Sequence, residues 1–175
     1  LTVTIAGYEH SEKKIGFNGF KQSSIVGGKP IACEAKPKNF NTEDFLAYQQ
    51  GKRHKPALLN GNGNFTDYTY ERFKKDIREN PHLLVSGFVD GKLIYVLEFP
   101  FRTRSFVKKL ETQLHKRFPR GKRLAGAFLR SATFTYHDFI SPDIRIVFLR
   151  PKTELEPHRS HINKGFFKFL HEKAK

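Results

Sequence analysis

The 175 residues suffice for one domain with a sizeable core, and 32 Lys and Arg against 17 Asp and Glu give a formal net charge of +15. Such an excess costs self-repulsion in the folded state and points to a polyanionic partner, nucleic acid ahead of an acidic protein. A single cysteine, Cys33, excludes an intramolecular disulfide and a Cys-rich zinc site and fits a reducing intracellular compartment, cytoplasm or nucleus; no secretory leader is read, and no run nears the roughly 18 apolar residues of a membrane span, so no membrane partner is expected.

Eighteen Phe and six Tyr with no Trp predict an aromatic core. The opening "LTVTIAGY" alternates Leu1, Val3 and Ile5 with small or polar residues and reads as a strand with one buried face. Glycines then break the chain to about Pro37 into short strands and turns. "NTEDFLAYQQGK" predicts a short helix, with Asn41 or Thr42 as cap, acids in the first turn and Gly51 as stop. The basic "KRHKP" and the Asn-Gly repeats of "LLNGNGNF" read as a loop. This suggests a strand-rich part over 1–65 and a basic core over 66–175, or one continuous domain. The first part carries nine basic and five acidic residues, the second 23 and 12.

Thr66 or Asp67 is expected to cap a helix running to about Asn80. "VDGK" between apolar runs predicts a hairpin. "SFVKKLETQLHKRF" places Phe106, Val107, Leu110, Leu114 and Phe118 near one helical stripe, with Ser105 as cap. "GAFLRSATFTYHDF" and "PDIRIVFLR" read as strands and "HINKGFFKFLHEK" as a closing helix. The expected class is α+β, a mixed sheet flanked by helices.

Glu98 ends the apolar strand of "DGKLIYVLEFPFR". An unpaired buried carboxylate is costly, so it either reaches solvent or has a partner. The α, β, β, α, β, β, α order from Thr66 onward, with a Gly-Lys turn before a strand ending in Glu, resembles the PD-(D/E)xK nuclease core, including its restriction, homing and phage junction-resolving members. That resemblance implies DNA as partner, DNA ahead of RNA, and magnesium-dependent phosphodiester cleavage. Glu98 with Asp90 or Glu71 would hold the metal, and Lys92 or Arg102 would stabilise charge on the phosphate, leaving Glu98, Asp90 and Lys92 as the catalytic set. The pattern departs at two places: Pro100 stands where the lysine falls, and Ser86 where the first Asp falls. The structural alternative for Glu98 is a salt bridge to Arg102 or Arg104. A homodimer is in keeping with enzymes that cut both strands, with no interface indicated. Without catalysis, the same residues describe a nucleic-acid-binding protein of replication, recombination or RNA binding.

The basic residues carry the binding expectation. Lys52, Arg53 and Lys55 form one cluster. From Arg102 to Arg123, nine bases (Arg102, Arg104, Lys108, Lys109, Lys116, Arg117, Arg120, Lys122 and Arg123) stand against one acid, Glu111. Phe101 and Phe118, inside this run, are candidates for stacking on unpaired bases. His158 and His161 in "HRSH" have a spacing that brings two rings together on a helical turn. His137 and Asp138 in "TYHDF" point apart if that segment is a strand. No serine-nucleophile elbow or phosphate-binding glycine loop is present.

Overall fold

The computed structural model describes residues 1–12, 18–23, 25, 28–119 and 126–175. The chain opens with a helical turn, α1 (Thr2–Ile5), where alternation predicts a strand. Its β-branched residues suit a strand, yet tertiary packing decides. Val3 and Ala6, three apart, are both buried, the hydroxyls of Thr2 and Ser86 lie 2.7 Å apart, and Gly7 at φ +80° ends the turn. Two short strands follow, β1 (Glu9–His10) and β2 (Gly19–Lys21), and then a long one, β3 (Ile31–Phe40). Pro37 is tolerated in β3 because β2 pairs only with Ile31–Cys33, so the missing N–H breaks no ladder on that side.

The helix α2 (Thr42–Gln49) is capped as expected, Asn41 Oδ1 accepting from Glu43 N at 2.9 Å. The loop expected next contains a strand, β4 (Gly63–Tyr68). Asn-Gly repeats conceal it at one end, and Asp67, at φ +51°, interrupts its alternation at the other. Accordingly α3 (Tyr70–Glu79) starts later than predicted and is capped by Thr69, whose Oγ1 accepts from Arg72 N. The hairpin is where "VDGK" puts it: β5 (His82–Val89) and β6 (Lys92–Pro100) meet at Asp90 and Gly91, both at positive φ, the requirement of the tight turn that matches strand twist.

Beyond it lie α4 (Arg104–Arg117), β7 (Leu129–Phe134), α5 (Tyr136–Phe139), β8 (Arg145–Leu149), α6 (Lys152–Leu155), a 3-10 turn over Glu156–His161, and α7 (Lys164–Lys173). The cap of α4 is Thr103, not Ser105. "TYHDF" is the helical turn α5 and not strand, because Thr135 and Asp138 close a reciprocal capping box.

The architecture is α+β. Six strands form a mixed sheet in the order β1-β2-β3-β5-β6-β8, with β3 and β5 parallel and the other pairs antiparallel; β4 and β7 pair separately. This sheet crosses the boundary expected at residue 65. Side chains alternate between its faces. Leu83, Val85, Leu97 and Phe99 enter the large core with β4, β7, α3, α4 and α7, whereas Leu84 and Val96 enter a smaller one beneath α1 with Val3, Tyr8 and Cys33.

The large core is built on rings in edge and stacked contacts. Phe106 meets Phe99, Phe101 and Phe134 edge-on at 4.9–5.2 Å, and Phe99 stacks on Phe139 at 4.3 Å. Phe101 and Phe118 are buried in it and present no face to a nucleobase, which corrects the stacking expectation. Gly87 lies at a register shift, where an added Cβ would overlap the ring of buried Tyr95. Gly87→Ala is therefore expected to lower stability by about 1–3 kcal/mol through overpacking; urea denaturation measures this, and an unchanged midpoint refutes it.

Candidate nucleic-acid interface and the Glu98 cluster

Glu98 is 4% exposed and fully engaged. Tyr8 Oη donates to Oε1 at 2.5 Å, Arg145 Nε donates to Oε2 at 2.6 Å with its Nη2 on the same oxygen, and His82 Nδ1 lies 3.2 Å from Oε1. The sheet explains the meeting. Arg145 stands directly opposite on β8, His82 lies near the start of β5, and Tyr8 follows α1. Neither Arg102 nor Arg104 is the partner, because the chain leaves the sheet after Pro100 and carries both onto α4. Burial pushes the Glu98 pKa up, but the bonds from Tyr8 and Arg145 and the nearby charges outweigh it and hold the carboxyl below its usual value. Burial lowers His82, with help from Lys21 and Arg145, against the pull of Glu98.

The residues named for metal and catalysis do not converge. Asp90 and Lys92 sit at the hairpin; Lys92 begins β6 six residues before Glu98, about 20 Å in an extended strand, and Asp90 lies beyond it in the turn. Asp90 accepts there from Thr42 N at 2.9 Å and Thr42 Oγ1 at 2.6 Å. Glu71 is in the first turn of α3, a helix packed on the opposite face of the sheet from Tyr8 and Glu98. These three acids do not fit one magnesium ion.

The hairpin end holds a cluster that the sequence only hinted at. The 3-10 turn nearly eclipses residues three apart, bringing the rings of His158 and His161 to 5.8 Å, with His161 stacked on Phe40 at 4.9 Å. Both Nδ1 atoms are buried without a hydrogen-bond partner among the described residues. Burial lowers both pKa values; His158 is lowered further by His161, Lys92 and Arg150, and Asp90 opposes the shift at each ring.

Of the basic candidates, α4 and its entry gather the most. Phe106, Leu110 and Leu114 form its buried stripe, leaving Arg104, Lys108, Lys109 and Lys116 exposed, with Arg102 just ahead. These five side chains make no ion pair among the described residues. Arg102, Arg104 and Lys108 line two adjoining recesses of about 620 and 640 Å³. Arg117 is also exposed, but its Nε donates to Phe128 O at 3.2 Å. Arg120, Lys122 and Arg123 lie outside the described residues. Lys52, Arg53 and Lys55 follow α2, which packs through Phe45 on Phe40 and His161, whereas α4 packs on β7 and α5; Arg53 is paired with Asp44.

His137 is exposed, and Asp138 Oδ2 accepts from Thr135 N, so that pair is helix capping. Sequence reasoning missed Tyr8 and Arg145 as partners of Glu98, and Ser141 and Asp143 as walls of the first recess. A lone arginine entering the apolar run "RIVFL" was the available signal for a cross-strand partner. No helix among the described residues is long and apolar enough to cross a membrane. The chain matches no protein-family model and no curated protein sequence.

Two outcomes follow from this geometry. Arg145→Ala strands a buried anion and is expected to cost about 3 kcal/mol, whereas Glu98→Gln leaves an arginine whose side chain is already 54% exposed and costs about half as much. Urea denaturation gives the order, and an NMR titration should show the His82 pKa rising in Arg145→Ala; the reverse order refutes the clasp as a carboxylate problem. For the histidine pair, a depressed folded pKa means stability complete above the unfolded value of about 6.5 and lost as pH falls through the folded values. His158→Gln/His161→Gln should flatten the decline in melting temperature from pH 7 to pH 5, a window well above that of Asp90, and an unaltered slope contradicts it.

Proposed function

We propose that this protein is a nucleic-acid-binding module that docks a phosphate backbone along α4 and its entry. The observation that carries the reading is five exposed cations on one helix and its approach, none in an ion pair among the described residues, with Glu111 as the one acid of that helix. A merely solvated helix face mixes signs and pairs them at i, i+4, as α3 does with Arg72–Asp76 and Lys75–Glu79. Phosphates release condensed counterions when such cations meet them, and duplex DNA supplies them at regular spacing. Cys33, buried and unpaired, supports action in a reducing interior. Glu98, with both oxygens engaged, serves the fold in this reading, so binding without cleavage is favoured over the nuclease alternative.

The test is affinity for duplex DNA, and for RNA of the same sequence, across a salt series. Arg104→Ala, Lys108→Ala, Lys109→Ala and Lys116→Ala together should weaken binding to all sequences and reduce the log–log salt slope by about 0.9 for each phosphate no longer neutralised. The same number of substitutions at Lys152, Lys164, Lys173 and Lys175 should leave the slope unchanged. Parallel incubation with magnesium and plasmid, linear or branched DNA should give shifted bands and no specific products. Absence of any shift at low salt rejects the reading, and products that disappear in a folded Glu98→Gln variant restore the catalytic one.

A further inference from the structure

Glu111 is the one acid on α4, and a carboxylate beside docked phosphates repels them. Lys108 lies three residues before it and His115 four after, spacings that favour pairing on a helix. Exposed Glu111 nevertheless makes no ion pair with these or any other of the described residues. Glu111 and His115, four apart, share one flank of the helix, and Thr112 and Lys116 the next. With Tyr70, the first residue of α3, these four line a recess of about 630 Å³ between the two helices. Small-ligand sites span roughly 300–1,000 Å³.

One wall of this recess is aromatic. The half-buried Tyr70 ring sits 6.3 Å from the buried Phe118 ring, and its Oη lies 3.3 Å from Nδ1 of exposed His115. A planar ligand therefore meets rings that are already held in place. The polar groups beside them are chiefly acceptors. The Glu111 carboxylate accepts only, and Thr112 Oγ1, which donates to Lys108 O at 2.7 Å, keeps its lone pairs for a further bond. Lys116 is the one full cation of the lining, and its charge cancels that of Glu111. Such a lining suits a neutral planar group rich in donors better than another phosphate.

We infer that the recess between α3 and α4 receives an unpaired guanine base of the strand whose phosphates lie along α4. This rests on the nucleic-acid reading and adds to it a base preference and a need for unpaired strand. A carboxylate accepts at two oxygens. Among the common bases only guanine presents two adjacent donors on one edge, N1–H and the N2 amino group. Adenine and cytosine offer an amino group next to a bare ring nitrogen, and thymine and uracil one N–H between two carbonyls, so each turns an acceptor towards the second carboxylate oxygen. In a duplex both guanine donors are committed to cytosine, so the base must leave the stack to reach Glu111. Stacking on Tyr70 supplies the part of the affinity that any base can gain, and Lys116 takes a phosphate of the same strand.

The test uses labelled single-stranded oligothymidylates with one central guanine, inosine, adenine or cytosine, their affinities read by fluorescence anisotropy at fixed ionic strength. Inosine keeps N1–H and lacks only the N2 amino group. The guanine strand is expected to bind about fivefold tighter than the inosine strand, the lower end for a bidentate contact to a base because Glu111 is exposed. Annealing the complementary strand should abolish that preference. Glu111→Gln, which replaces one acceptor with a donor, should abolish it in the single strand and tighten the other three by removing a repelling charge. Tyr70→Leu, which keeps apolar packing on Phe118, should weaken all four about fivefold and preserve their order. Circular dichroism checks that each variant is folded. Equal binding of guanine and inosine strands, a preference that survives Glu111→Gln, or unchanged affinity in folded Tyr70→Leu overturns the guanine site and leaves the docking surface standing. Binding of duplex but of no single strand does the same, and no binding of either at low salt overturns both.

Discussion

One buried carboxylate constrains how this sheet can assemble. Glu98 brings a charge to the face of β6 that α1 covers, and its oxygens are matched only when the segment after α1, the start of β5 and the start of β8 all arrive together. A buried ion pair is weak evidence of net stability, because desolvation offsets most of the attraction. Its stronger effect is on alternatives. A one-residue slip of β8 would send Arg145 to the opposite face and leave the carboxylate without its cation. The register shift between Val96 and Leu97, just before Glu98, is compatible with a pairing whose position is fixed from the Glu98 end.

The other face of the same strands solves a different problem. Phe99 and its neighbours interlock with Phe106, so α4 is held by its inner stripe. Gln113 adds to this by bonding both Thr133 N and Thr133 O, which occupies backbone groups of β7 and pins the helix to the small sheet. With docking secured from within, the outer surface of α4 needs no ion pairs to stay in place. Cations at its last turn agree with the helix dipole, whereas Arg102 and Arg104 at its first turn oppose it. The phosphate docking proposed for this surface would relieve that arrangement at the first turn.

Local chemistry made much of this visible in the sequence. Asp90-Gly91 announced the hairpin, Asn41 and Gly51 bracketed α2, and the spacing of Phe106, Leu110 and Leu114 defined the inner face of α4. What stayed hidden depended on contacts distant in sequence. Val3 and Ile5 alternate like strand residues, and only the cover that α1 provides over the small core makes them helical. Strand β4 is concealed because Gly61, Gly63 and Asp67 all look like turn residues, although Phe65 among them and Tyr68 just after are fully buried. The expected site failed to assemble for a geometric reason: Asp90 is near Glu98 along the chain and far from it along an extended strand. Tyr8 and Arg145, 90 and 47 residues from Glu98, had no local pattern to reveal them.

The two departures from the nuclease pattern have structural uses of their own. Ser86, standing where the first acid of that pattern falls, is buried, and its hydroxyl meets that of Thr2, so it helps hold α1 on the sheet. An aspartate there would add a second anion to the small core, which already contains Glu98. Pro100, standing where the lysine falls, closes β6, and its carbonyl accepts from both the N–H and the hydroxyl of Thr103 to turn the chain into α4. The hairpin, the strand-end glutamate and the following helix can therefore recur as a solution to packing: a strand that must finish beside a cross-strand arginine and then release the chain into a helix yields the same short pattern. What the pattern places in this molecule is the start of α4, and with it the arginines on which the proposed docking surface depends.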